Sequence, residues 1–388
     1  MKPRPTEISR SDDRFLRSRH RPRYEADPNP VRLVDLFSGC GGITLGIAEA
    51  ARSLDRGIDV ALAMEIDSQV RDVYDLNFRS HATDNRSDVL ARFDRPVGAR
   101  MSSTEKATAI ELGRVDVLAG GPPCQGHSDL NNHTRRRDPK NELYMSMIRA
   151  AEVLRPRHVI VENVQGVRRD QGMVLDRAVE SLEGLGYSVD HGLVRLVRIG
   201  VPQTRVRHIL FASVGTKPCL ATALQRCELE LARDLRWAIG DLAGVRTTAL
   251  IDTPSVMSSE NLKRARFMLR RGLYDLPNPQ RPECHRSKPD HRYLAMYGRL
   301  RWDEPASTIT TGFGSPGQGR YLHPASPRTL TPHEAARIQF FPDWFDFGRE
   351  STRRVVAHCI GNAVPSKLAF ALALDRLSTD LVQRQGTG

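Results

Sequence analysis

The segment Gly120-Gly121-Pro122-Pro123-Cys124-Gln125-Gly126 presents one thiol where it can do chemistry. Two glycines and two prolines at the end of an apolar run fix a rigid turn, which carries Cys124 to a loop tip rather than into a core where inert thiols usually lie. An exposed thiol near a helix start, with basic residues close by, is where the lowered pKa of a nucleophile arises. Position alone fits an inert cysteine too. The next run, Val159 to Val164, carries a carboxylate near its end. Glu162 stands at the same sheet edge as Cys124 if the two strands are parallel neighbours, and open sheets bind their ligands at that edge. Further on, Arg205 and Arg207 alternate along an extended segment and so share a side. They can orient the carboxylate, grip a phosphate, or form a solvated edge.

A second group of residues suits a nucleoside. Ser38-Gly39-Cys40-Gly41-Gly42 follows an apolar run and opens a helical pattern, the arrangement in which glycines let a backbone approach a cofactor closely. The spacing is not G-x-G-x-x-G and no G-K-[ST] occurs, so a pyrophosphate or nucleoside triphosphate is poorly supported. Glu65 and Asp67 end the following run some 20 residues on, where an acid accepts hydrogen bonds from ribose hydroxyls. An adenosine-containing ligand fits both features; a capping turn and a solvated acid fit them as well. Gly361-Asn362-Ala363-Val364-Pro365 is another short rigid turn with a polar amide, mute by itself. Cys284 and His285 with His291 make at most a partial metal set at irregular spacing, and no C-x-x-C pair joins the six cysteines. Neither structural metal nor disulfides are expected.

The elements that must position these residues follow from the pattern of apolar runs. VRLVDLF, DVALAMEID, VDVLAGG, RHVIVENV and RHILFASV read as strands, with ITLGIAEAARSL, LYMSMIRAAEVL and VLDRAVESLEGLG as helices between them. Such alternation predicts a mostly parallel, doubly wound α/β sheet. It stops near residue 214, and until about 326 the chain is irregular, Arg-rich and Gly-rich, as a separate basic domain would be. TLTPHEAARIQFF then shows a helix start, with Thr331 as cap, Pro332 in the first turn and Glu334 three residues after the cap. SKLAFALALDRL reads as an amphipathic helix returning to the first domain. The expected division is a flexible basic arm over 1–30, an α/β domain over 31–213, a second, basic domain over 214–326, a hinge and helix over 327–360, and a returning segment over 361–388.

Composition narrows the partners. With 388 residues, 39% hydrophobic and 27% charged, the chain has the make-up of a globular protein, not of collagen, a disordered tail or a disulfide scaffold. No apolar stretch approaches the ~20 residues of a membrane span and no signal-type region opens the chain, so a soluble, intracellular protein without a membrane partner is expected. Lysine and arginine total 58 against 46 acids, a net charge of +12 that favours a polyanion over a neutral metabolite.

Taken in order, DLFSGCGG, GGPPCQG, VENV, QTRVR, LTPHEAARIQFFP and GNAVP resemble the DNA (cytosine-5)-methyltransferases of prokaryotic type, over residues 31 to about 370. The irregular region falls where that family carries its target-recognition domain, and RLRWDEPASTITTGFG is similar to a Thr-containing stretch found there. The resemblance implies a Rossmann-like S-adenosylmethionine domain in which Phe37, Gly39 and Gly42 line the cofactor pocket, Glu65 holds the ribose, and Asp88 meets the adenine amino group. Leu143, Asn362 and Val364 complete it. It implies Cys124 as nucleophile, Glu162 as the glutamate against the base, and Arg205 and Arg207 as the arginines beside a flipped cytosine, with no metal.

The implied partner is double-stranded DNA, with Arg264, Arg266, Arg270 and Arg271 as candidate phosphate contacts. The implied setting is a cytoplasmic, nucleoid-associated monomer working alongside a restriction endonuclease. Two alternatives stay open. Relatives that methylate transfer RNA carry a Cys-Phe-Thr signature in the recognition region, and none occurs between 214 and 326. A catalytically idle DNA-binding module has no chemical need for Cys124, Glu162 and Arg207 together.

Overall fold

The strands are short apolar runs whose neighbours in space come from distant parts of the chain. A computed structural model describes residues 5–24, 27–79, 88–123, 142–245, 247–287 and 295–386. Among them, β1 (Val31–Leu36), β2 (Ile58–Met64), β3 (Val117–Gly120), β4 (His158–Asn163), β5 (Ser188–Arg195) and β6 (Val206–Ser213) form one sheet in the order β2-β1-β3-β4-β6-β5. The pairs β1–β2, β1–β3 and β3–β4 are parallel, with Gly120 beside Leu36 and Val161. At the far side β6 runs antiparallel to β4, and β5 antiparallel to β6. The sheet is the α/β arrangement expected, with one strand more than the apolar runs announce. SVDHGLVR lies at a sheet edge with only Val194 fully buried, so β5 has no apolar run to betray it.

Helices cover both faces, because successive strand residues point to opposite sides. Val31, Leu33, Val117 and Ala119 join one buried cluster with α2 (Gly42–Arg52) and α13 (Ser366–Gly386), while Val34, Leu36 and Leu118 join another with α5 (Leu143–Leu154) and α6 (Val174–Gly184). At Gly46 the two helices of the first face nearly touch, since a Cβ there would lie 2.2 Å from the Ser366 carbonyl. Helices α3 (Ser68–Asn77) and α4 (Ser103–Leu112) complete the crossovers; α4 opens on a full capping box between Ser102 and Glu105.

The region between β6 and residue 326 holds α7 (Leu220–Gln225), α8 (Leu235–Ile239), α9 (Ser259–Arg270) and α10 (Glu283–Arg286). The stretch expected to open a separate domain at 214 instead packs inward: Leu220, Ala223, Leu235 and Ile239 belong to the main core. A smaller core of Ala265, Met268, Leu276 and Leu322 serves the rest. The chain then returns through α11 (Pro332–Ile338) and α12 (Arg353–Asn362). The start of α11 is as its sequence requires, with Thr331 and Glu334 capping one another.

The arm expected to be flexible contains a docked helix, α1 (Pro5–Leu16). Leu16 is fully buried, Phe15 stacks on Phe340, and the Leu16 carbonyl accepts from the Asp343 amide at 2.9 Å. Asp12 is 4% exposed and bonds Lys367 at 2.5 Å and Arg233 at 2.7 Å. Beyond α1, the Tyr24 hydroxyl donates to buried Glu49 at 2.6 Å. These partners lie far away in sequence, so local apolar periodicity was bound to miss them. A hollow of about 1080 Å³ flanks α1, but its inner charges pair with one another, Asp12 with Lys367 and Glu49 with Arg52. Among the described residues no single helix is long and apolar enough to cross a membrane.

Candidate active site

A cavity of about 920 Å³ opens where β1, β2, β3 and β4 end. Its floor is the glycine turn. Phe37 takes a left-handed φ of 57°, a conformation uncommon for a residue with a bulky side chain. Gly39 and Gly41 follow at φ 55° and 98°. A Cβ on Gly39 would meet nothing within 4 Å, so that glycine leaves open space for a ligand. A Cβ on Gly42 would lie 2.5 Å from the Val364 carbonyl, so the turn is pressed against the Asn362–Val364 segment, which lines the same cavity.

The two acids after β2 take different work. Asp67 caps α3, accepting from the Gln69 amide at 3.0 Å and the Val70 amide at 3.3 Å. Glu65 reaches back to the glycine turn, accepting from Gly39 N at 3.1 Å and from Asp67 N at 3.0 Å, with lone pairs left for a diol. Asp88 accepts from Leu90 N at 3.0 Å and lines the cavity, as does Leu143 at the head of α5. Ile66, between the two acids, is 69% exposed on this cavity. Nothing in the sequence marked it, because one apolar residue after an acid has no pattern; only its exposure beside Phe37 shows it. The donor set fits S-adenosylmethionine: apolar Phe37 and Ile66 for adenine, Asp88 for an amino group, Glu65 for ribose, and the open glycine turn for the rest.

Behind the turn, Asp35 is fully buried on β1. Its Oδ2 accepts from the Thr44 hydroxyl at 2.6 Å, which in turn lies 2.9 Å from the Tyr74 hydroxyl. Its Oδ1 has no hydrogen-bond partner among the described residues. Burial, only partly offset by the bonds from Thr44, pushes this carboxyl up to about 7.

At the other end of the cavity, Arg207 Nε lies 2.7 Å from Glu162 Oε1, with both side chains largely buried. Parallel pairing of β3 and β4 puts Glu162 beside the Gly121–Pro123 turn, and Gly121 has no side chain to crowd it: a Cβ there would be 3.3 Å from Glu162 Oε2. Cys124, next in the chain after Pro123, lies outside the described residues. Arg205 and Arg207 both line the cavity but part company. Arg205 is buried and donates to the Ile309 carbonyl at 3.0 Å, so it grips the segment around Ile309 while Arg207 holds the carboxylate. That segment, Thr308–Thr311, closes the cavity, a role its sequence did not disclose. Tyr144, buried behind, has a hydroxyl without a hydrogen-bond partner among the described residues, and burial followed by the charge of Glu162 raises its pKa. His291 of the doubtful metal set lies outside the described residues.

The fold is a methyltransferase fold: the solved S. pombe Dnmt2 methyltransferase matches with a TM-score of 0.63 at 16% identity, over 90% of this chain and 99% of that one. Sequence narrows it further. The model of the C-5 cytosine-specific DNA methylase family matches residues 31–376. Type II methyltransferase M1.BsuMI of Bacillus subtilis is 42% identical over 94% of this chain and 85% of its own length. Type II methylase M.HgiDII of Herpetosiphon aurantiacus is 30% identical over 91% and 97%. The chain therefore belongs to the C-5 cytosine-specific DNA methylase family and is an enzyme of the DNA (cytosine-5-)-methyltransferase class, for which S-adenosylmethionine is the implied methyl donor.

Proposed function

We propose that this enzyme methylates carbon 5 of a cytosine turned out of double-stranded DNA within a short recognition sequence, through a covalent adduct on Cys124. The observation that carries the reading is the Glu162–Arg207 pair, 2.7 Å apart in the cavity that also holds the glycine turn and Glu65. Cytosine carbon 5 is a poor nucleophile until a thiolate adds at carbon 6. Cys124 adds there and forms the carbon–sulfur bond, which makes carbon 5 enamine-like. Glu162, held by Arg207, shares a proton with ring nitrogen 3 and accepts from the exocyclic amine, so the charge that develops on the ring meets a preorganised partner. When bound, S-adenosylmethionine supplies an electrophilic methyl group. Loss of the carbon 5 proton and departure of the Cys124 thiolate then free 5-methylcytosine.

Phe37, Gly39, Gly42, Glu65, Asp88, Leu143, Asn362 and Val364 hold the donor. Arg205, beside the base, also fixes the Thr308–Thr311 segment through the Ile309 carbonyl. Extrusion of the base costs a few kcal/mol, and basic residues such as Arg264, Arg266, Arg270 and Arg271 offset it through phosphate contacts. The enzyme acts as a monomer, without a catalytic metal, on the DNA of the cytoplasmic nucleoid. The type II names of its relatives support a place beside a restriction endonuclease and do not favour transfer RNA as substrate. The test incubates the protein with S-adenosylmethionine and unmethylated duplex DNA, then maps 5-methylcytosine by bisulfite sequencing. Modification of one short sequence, lost in Cys124→Ala and in Glu162→Gln, is expected. Binding of the cofactor with no modified cytosine in DNA overturns the reading.

A further inference from the structure

Gln203 and Gln339 are both fully buried, and neither touches the cavity's open space. Their amides form a chain. Gln339 Nε2 donates to the Ile360 carbonyl at 2.5 Å and to the Ala363 carbonyl at 3.4 Å, at the end of α12 and in the turn that carries Asn362 and Val364. Gln339 Oε1 accepts from Gln203 Nε2 at 2.8 Å, and Gln203 Oε1 accepts from the Ile309 amide at 3.3 Å. The chain thus runs from the turn against the glycine loop to the segment that closes the base end of the cavity. Where those two pieces meet there is no slack: a Cβ on Gly361 would lie 2.2 Å from the Thr311 amide nitrogen.

We propose that Gln339, acting through Gln203, is a positioning residue that couples cofactor binding to DNA engagement by holding the Gly361–Val364 turn and the Thr308–Thr311 segment in one register. The proposal rests on the assignment of cofactor and DNA made above. An amide suits the task because it donates on one side and accepts on the other. A ligand that shifts the turn then shifts the segment, and by linkage each ligand changes the other's affinity by the same factor. Arg205 and the paired backbones of Thr204 and Ala306 tie the segment to β6 independently, so loss of Gln339 leaves the fold and each separate site standing.

The test measures the affinity of S-adenosylhomocysteine with and without a duplex bearing the sequence mapped above, in the wild type, Gln339→Met, Gln203→Met and the double variant. Methionine keeps the side-chain length and removes the amide. The expected wild-type coupling is about 5-fold or more. In Gln339→Met it falls to about 2-fold or less, while S-adenosylhomocysteine alone binds within about 3-fold of wild type. Gln203→Met lowers the coupling alike, and the double variant lowers it no further, as members of one chain must. Should Gln339→Met fail to fold, Gln203→Met reads the same link from the other end. A coupling factor unchanged in the single variants overturns the proposal, as does a wild type without coupling. A wild type that binds no S-adenosylhomocysteine or modifies no DNA overturns the assignment beneath it instead.

Discussion

Asp35 offers the sharpest quantitative prediction, because its environment is closed and, among the described residues, its charge has no counter-ion in bonding contact. Folding raises this carboxyl from 3.8 to about 7. The folded state therefore holds a proton that the unfolded chain has lost, and the wild type loses stability as pH rises through that interval. About 3 pKa units at 1.36 kcal/mol each give a total of about 4 kcal/mol, of which about 2 to 3 kcal/mol falls between pH 5 and pH 8. Asp35→Asn removes the titration. Its carboxamide keeps the bond from Thr44 but places an N–H where Oδ1 finds no partner, a cost of about 1–3 kcal/mol that does not vary with pH. The quantity to follow is thus the difference in unfolding free energy between variant and wild type, from urea titrations at pH 5, 6, 7 and 8. It moves in the variant's favour by about 2 to 3 kcal/mol across that range and levels off above pH 7. A difference that stays constant with pH refutes the reasoning, for it would mean that Asp35 keeps one protonation state throughout.

Gly42→Ala forces a Cβ to within 2.5 Å of the Val364 carbonyl, and overpacking of about 1–3 kcal/mol should weaken S-adenosylhomocysteine binding roughly 10- to 100-fold while the circular dichroism spectrum stays unchanged. Calorimetric titration reads it directly. Asp12→Ala strands two buried cations, Lys367 and Arg233, and is expected to lower stability by about 3–5 kcal/mol in urea unfolding. His333 bridges Asp252 at 2.8 Å and Asp343 at 3.0 Å; burial opposes its charged form, but the bonds to Asp343 and Asp252 prevail and hold it above its ordinary value. Its contribution is whole below the unfolded value near 6.5 and fades as pH rises through the raised one, so His333→Gln should shrink the fall in thermal stability between pH 6 and pH 9. Asp343 itself lies at about 2 despite its burial, through His333 and Arg337, so its own share disappears only in strong acid.

What could be read from residues alone was whatever depends on neighbours in the chain. The glycine turn, the acid after β2 and the carboxylate closing β4 are each a strand end followed by a local signal, and parallel order brings strand ends together. The family resemblance added what spacing could not, a role for each. Cys124 rests on that reading and on its place after Pro123. What escaped was set by contacts across the chain. Arg205 and Arg207 look equivalent, yet Arg207 faces Glu162 and Arg205 the Ile309 carbonyl, a choice made by where residues near 309 arrive. The irregular stretch near 220–242 hides apolar residues that fill the main core, and α1 gives no local sign of docking because its anchors are Lys367, Arg233 and Phe340.

The clasp of Asp12 on Lys367 also sets a timetable for synthesis. Its partners lie 355 positions apart, and at about 5–20 residues per second the ribosome needs on the order of 20–70 s to make the second after the first. Throughout that interval α1 has no seat, and α2 lacks the α13 backbone that Gly46 is shaped to receive. The glycine turn at the head of α2 therefore cannot gain its final support until nearly the whole described chain has emerged.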